Sequence, residues 1–304
     1  MDSTVNVNGE SKKKAVWKKI VNFPLVPILE VLAIGIVGSL LSQYVLYRVF
    51  IPFENEENAA VVEFLATYAL TGGIVIISLL YMWLIRSYKP MLEFMWTRLK
   101  GNNLKMAFIG LLAGFGMNTL AVGAAVLNNN IVLRYTGGSI ALFVLFFLAV
   151  LIQASNEEIL CRCFLYHRFS KIFKNNAVGI FIASTLFGVF HIFNPGATVL
   201  AIITVILAGL AFGLLVYAFD SFWMAVTAHL GWNYSQNIIY GLPNSGAVST
   251  FSMFKLDAST ATDSLVYNVN FGVEGTLSTC VGFLLVDIAL ILYTVKFKKK
   301  PTNV

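Results

Sequence analysis

Residues 139–166 read SIALFVLFFLAVLIQASNEEILCRCFLY. From Ser139 to Asn156 the run carries no charge and no Gly or Pro, and then Glu157, Glu158 and Arg162 arrive before the apolar pattern resumes. An uninterrupted apolar run of about 20 residues is long enough to span a bilayer as a helix. An ionised side chain at the centre of such a helix costs about 2.5–3.5 kcal/mol on insertion scales. Three of them in one span therefore point to a site that uses them.

Two more stretches repeat the theme. Phe187-Gly188-Val189-Phe190-His191 and His229-Leu230-Gly231-Trp232-Asn233 also set polar side chains in apolar surroundings. Two carboxylates, a guanidinium, two imidazoles and an amide are the residue types of water-activating hydrolytic chemistry. The chain has three histidines, so these motifs hold two of them; the third, His167, is expected at the cytoplasmic boundary as an interfacial residue.

The whole chain agrees with a membrane reading. Its 304 residues are 58% hydrophobic and 12% charged, too apolar and too poor in charge for a soluble domain. The expected fold is all-α: one integral membrane domain over 1–304, a transmembrane helical bundle of about eight spans. These lie near 23–47, 60–85, 106–127, 139–166, 177–194, 198–219, 222–240 and 276–295. The motif core is 139–240, followed by a polar loop at 241–275 read as extracytoplasmic and as solvated chain. Residues 86–105 mix apolar residues with cations and suit a helix along the interface.

The net charge of +6 is not a nucleic-acid footprint. Lysines at 12–14 and 18–19, the cations of 86–105, those of 168–174 and those of 296–300 fall on one side if the spans number eight. That distribution puts both termini in the cytoplasm of a plasma membrane, bacterial by its charge pattern. The lysine-flanked run from Phe23 to Tyr47 is too long for a signal-peptide core and reads as a retained first span. Cys161, Cys163 and Cys280 show neither a disulfide framework nor a metal pattern, and read as small buried hydrophobes.

Helical spacing divides the work among the motif residues. Glu158 and Arg162 stand at i, i+4 and share a face, so they can pair and lower each other's burial cost. Glu157 is rotated by about 100° from Glu158 and has no such partner, which makes it the candidate general base. His229 and Asn233 also stand at i, i+4 and are expected to supply two donors to an oxyanion. His191 is placed with Glu157 on the attacking water, and Phe187 is expected to pack against the site. Glu30 and Glu63 read as packing or interfacial residues.

In these residues the chain resembles the CAAX protease and bacteriocin-processing family of intramembrane endopeptidases, marked by EExxxR, FxxxH and HxxxN on separate transmembrane helices. The resemblance covers mainly 139–240, and Gly272-Val273-Glu274-Gly275 is also similar to bacterial members. It implies hydrolysis of a peptide bond in a membrane-associated protein or peptide precursor. In the family's glutamate mechanism Glu157 and His191 activate water while His229 and Asn233 hold the oxyanion, with Glu158 and Arg162 as support. The expected cofactor is none, because no HExxH is present and the base cannot easily double as a ligand; zinc held by Glu and two His is the alternative. Expected partners are a peptide or protein substrate and the bilayer, with no nucleic acid. Two rival readings are a non-catalytic scaffold or bacteriocin-immunity protein of the same fold, including one that regulates a membrane sensor kinase, and a proton-relaying transporter.

Overall fold

The computed structural model describes residues 21–298. The lysines at 12–14, 18–19 and 299–300 that bear on topology lie outside the described residues. The first helix, α1 (Leu25–Tyr44), is apolar on nearly every face and leads through short 3-10 turns to Phe53. The next span is broken into α2 (Ala59–Ala69) and α3 (Gly72–Leu84). At the break the Leu70 carbonyl accepts from the Gly73 amide at 3.1 Å and also from Ser42 Oγ on α1.

Helix α4 (Lys89–Trp96) is short and amphipathic, and it buries Met91, Phe94 and Met95. Asn103 then caps α5 (Leu104–Leu127) by accepting from the Met106 amide. A two-stranded antiparallel ribbon pairs β1 (Leu133–Tyr135) with β2 (Phe254–Leu256). Between them the chain builds a rod of 34 residues from Ile140 to Phe173. Its parts are α6 (Ile140–Glu158), a π-helical segment (Ile159–Leu165) and α7 (Tyr166–Phe173).

Four further helices complete the bundle: α8 (Asn176–Phe190), α9 (Val199–Phe219), α10 (Phe222–Asn233) and α11 (Leu277–Phe297). A second π segment, Tyr234–Ile239, extends α10. Six helical stretches are long and apolar enough to cross a membrane, starting at Leu25, Ala59, Leu104, Ile140, Val199 and Leu277. The other two expected spans are the shorter α8 and α10. Helix α8 has 15 residues, about 22 Å at the standard rise, against a hydrocarbon core of about 30 Å. It therefore stops part-way, and His191 sits at its C-cap rather than within it.

The packing is that of a bundle turned outward to lipid. Leu29, Leu32, Ile36 and Leu40 on α1, and Val281, Leu285, Ile288 and Leu292 on α11, remain exposed. Polar and charged groups collect inside, among them Glu158, Arg162, His229, Asn233, Gln236 and Asn237. Small residues let α5 approach α10 closely. A Cβ added at Gly114 would lie 1.8 Å from the Ala228 carbonyl oxygen, so only glycine permits this crossing.

Residues 241–275 depart from the solvated chain expected of them. Leu242, Asn244, Tyr267, Phe271, Val273 and Glu274 are buried. The second π segment holds the loop: Gln236 Nε2 donates to the Pro243 carbonyl at 2.5 Å, and Asn237 Nδ2 donates to the carbonyls of Leu242 and Ala247 at 2.9 and 3.0 Å. At Gly246, φ is +87° and a Cβ would lie 2.1 Å from the Pro195 carbonyl oxygen, so the loop rests on the turn that follows His191. Paired backbone and side-chain polar groups let this polar segment fold where solvation was expected.

Two further expectations need correction. His167 is buried, not interfacial: its Nδ1 lies 2.6 Å from the Cys163 carbonyl and its ring meets Phe94 edge-on. Glu30 is more than a packing residue, since it accepts hydrogen bonds from Tyr81 and Tyr88 at 2.8 and 2.6 Å and lies 3.3 Å from Arg168 Nε. That network ties α1 to α7.

Candidate active site

The three motifs converge. Glu157, Phe187, His191, His229 and Asn233 all line one cavity of about 320 Å³, with Gln153 beside them. Glu158 and Arg162 lie behind its wall, 0% and 2% exposed. One π segment begins inside EExxxR, at Ile159, and carries Arg162; the other follows HxxxN at once, at Tyr234. A π turn shifts the helical register, and such turns are frequent at functional sites.

Glu158 anchors the arrangement. Its Oε1 accepts from Arg162 Nη1 at 3.0 Å and lies 2.9 Å from His229 Nδ1. Facing a carboxylate that already accepts from arginine, Nδ1 carries the proton and donates. Arg162 spends its other nitrogen, Nη2, on the Gly209 carbonyl at 2.8 Å and lays its guanidinium over the Phe187 ring at 4.4 Å. The buried pair is thus hydrogen-bonded on several sides, the condition under which burial of two charges is tolerated. Phe187 also packs against both imidazoles, with ring centroids 4.7 Å from His191 and 5.9 Å from His229.

The donor at Nδ1 fixes what His229 offers on its other side. In the neutral ring Nε2 is a lone pair, and it accepts from Asn233 Nδ2 at 3.0 Å. The two-donor expectation for this pair therefore holds only with His229 protonated. In that form the ring stands between Glu158 at 2.9 Å and Glu157 Oε2 at 3.7 Å. Phe212 stacks on it with centroids 5.0 Å apart.

Glu157 has a partner that helical spacing to Arg162 did not reveal. Gln153, one turn earlier on α6, donates to Glu157 Oε1 at 2.5 Å and accepts from Asn233 Nδ2 at 3.0 Å. Its own i, i+4 spacing to Glu157 within an apolar run was the available signal. The second oxygen, Glu157 Oε2, is buried without a hydrogen-bond partner. His191 Nδ1 lies 2.7 Å from the Phe187 carbonyl, which makes it the donor and leaves Nε2 as an acceptor.

A second recess adjoins the cavity. A groove of about 610 Å³ runs along α1 past Val31, Gly35, Ser39 and Gln43 and shares Glu157, Phe187, His191 and Asn194 with the cavity. Asn244, Ser245 and Glu274 reach the cavity from the 241–275 loop, and Thr67, Tyr68 and Thr71 reach it from the broken span. Of these six, Glu274 falls in the Gly272-Val273-Glu274-Gly275 stretch noted in the sequence, and the other five carry no spacing signal that joins them to the motifs.

The glutamate and two histidines of the zinc alternative, Glu157, His191 and His229, line this one cavity. Both ring nitrogens of His229 are engaged, one by Glu158 and one by Asn233. Among the described residues no three His, Cys, Asp or Glu side chains gather as metal ligands.

Comparison with known families agrees with the motif resemblance. Residues 139–235 match the family described as Rce1-like: Type II CAAX prenyl endopeptidase Rce1-like. No curated protein and no solved structure matches the chain.

Proposed function

From its Rce1-like domain at residues 139–235, we propose that the protein is an intramembrane endopeptidase that hydrolyses a peptide bond without a metal. The observation that carries this reading is the convergence of Glu157, His191, His229 and Asn233 on one cavity, with Glu157 also lining the lateral groove and its Oε2 accepting no hydrogen bond. Glu157 is the general base. Glu157 and the His191 Nε2 lone pair are two acceptors, so they orient the two hydrogens of one water.

The proton passes from that water to Glu157 as its oxygen bonds to the scissile carbonyl carbon. The carbonyl oxygen takes up negative charge and draws on the Asn233 amide and the charged form of His229. Collapse of the intermediate breaks the C–N bond, and Glu157 returns its proton to the leaving amine. Glu158 and Arg162 hold the His229 ring in register. The groove beside α1 supports a substrate that arrives from the bilayer, and the substrate in our reading is a secreted peptide precursor of a bacterial plasma membrane, such as a pheromone or bacteriocin leader, rather than a prenylated protein.

The test compares peptides released and retained by cells carrying the wild-type chain or Glu157→Gln at matched membrane levels. A precursor that accumulates uncleaved only in the variant is the expected result. Loss of a general base removes about 10²–10⁴-fold in rate. Identical peptide profiles with the cellular phenotype preserved would favour the scaffold reading, including a role beside a sensor kinase.

A further inference from the structure

Two parts of the 241–275 segment meet over the cavity at one carboxylate. Glu274 is buried, and its Oε1 accepts from Trp232 Nε1 at 2.7 Å. Its Oε2 accepts from both the amide and the hydroxyl of Ser245 at 2.8 Å. Trp232 precedes Asn233 on α10, so this carboxylate fastens the loop to the helix that carries the oxyanion amide. Ser245 has φ +45° and Gly246 φ +87°, a left-handed pair that costs conformational energy at the serine. The two bonds to Glu274 offset that cost and hold the turn.

The residue before Ser245 completes the link. Asn244 Nδ2 donates to Asn233 Oδ1 at 3.2 Å, and its backbone is fixed by reciprocal hydrogen bonds with Ala247 at 2.9 Å. A carboxamide has one acceptor and one donor end, and rotation by about 180° exchanges them. With its oxygen held by Asn244, Asn233 must turn its NH₂ toward His229 and Gln153, into the site. Turned the other way, it would present an oxygen where negative charge develops.

We propose that Asn244 and Glu274 are positioning residues for the oxyanion site: Glu274 latches the 243–247 turn, and Asn244 within that turn selects the orientation of the Asn233 amide. The role rests on the proteolytic reading above. It also gives the 241–275 loop a function, because Asn233 is correctly turned only while the loop is seated.

The test uses the full-length protein in lipid nanodiscs for amide hydrogen exchange, and the cellular peptide assay for cleavage. Glu274→Gln keeps an acceptor for Trp232 but sets its NH₂ against the Ser245 amide. It should raise exchange over 241–247 at least ten-fold, leave α5 unchanged and lower cleavage at least ten-fold. Asn244→Asp keeps the size of the side chain but cannot donate; it should lower cleavage at least ten-fold with exchange over 241–247 within two-fold of wild type. Unchanged exchange in Glu274→Gln would overturn the latch. Normal cleavage by Asn244→Asp, or loosened exchange in that variant, would overturn the positioning role. If Glu157→Gln also cleaves normally, the proteolytic reading itself fails, and the catalytic role of both residues falls with it.

Discussion

At the scale of single residues, the site is an exchange of hydrogen bonds that leaves one oxygen of each motif glutamate over. Glu158 Oε1 serves Arg162 and His229, Glu157 Oε1 serves Gln153, and the Oε2 atoms of both are buried without a hydrogen-bond partner; of the two residues, Glu157 lines the cavity. The supporting pair has a cost that can be measured. Arg162→Met leaves the fully buried Glu158 with only the imidazole, and removing one partner of a buried pair costs about 3–5 kcal/mol. Thermal unfolding in detergent should show that loss, and the double variant Glu158→Gln with Arg162→Met should recover part of it. Equal stability of wild type and Arg162→Met would mean that Glu158 is not charged in the folded protein.

At the scale of elements, much of the bundle was legible. Apolar length located the six long apolar stretches, though not the break between α2 and α3, and the i, i+4 pairs Glu158–Arg162 and His229–Asn233 placed polar residues on common faces. Three further things were not. Nothing in ILCRCFL or YSQNII distinguishes π from α, because the register shift answers tertiary contacts. The loop looked solvated because its partners lie far off in sequence, as Ser245 and Glu274 do at 29 residues. The early end of α8 follows from the turn at Asn194-Pro195-Gly196, which spacing across FxxxH does not disclose. Element packing also yields a test. Gly114→Val would force α5 away from α10, because the first added carbon already lies 1.8 Å from the Ala228 oxygen. Overpacking of this kind costs about 1–3 kcal/mol or more, so the variant should unfold at lower temperature and lose cleavage. Full activity would show that the α5–α10 crossing does not set the His229 position.

At the scale of the whole molecule, the distribution of polarity links fold to chemistry. Lipid-facing α1 and α11 expose leucines, valines and isoleucines, while the interior holds a connected polar chain from Asn118 through Gln236 to the loop at Pro243. Burial also pushes the Glu274 carboxyl above the usual carboxylate range, against the pull of its hydrogen bonds from Ser245 and Trp232. Such an interior can hold one water apart from bulk solvent and still take a peptide through the groove beside α1. Hydrolysis by that water is the central claim. It is tested most directly by giving the purified full-length protein in liposomes the precursor found in the peptide assay, in water enriched in heavy oxygen. The account predicts that the new carboxy terminus carries one heavy oxygen atom with wild type and that no new terminus forms with Glu157→Gln. A product formed equally by both proteins, or a new terminus without the label, would contradict it.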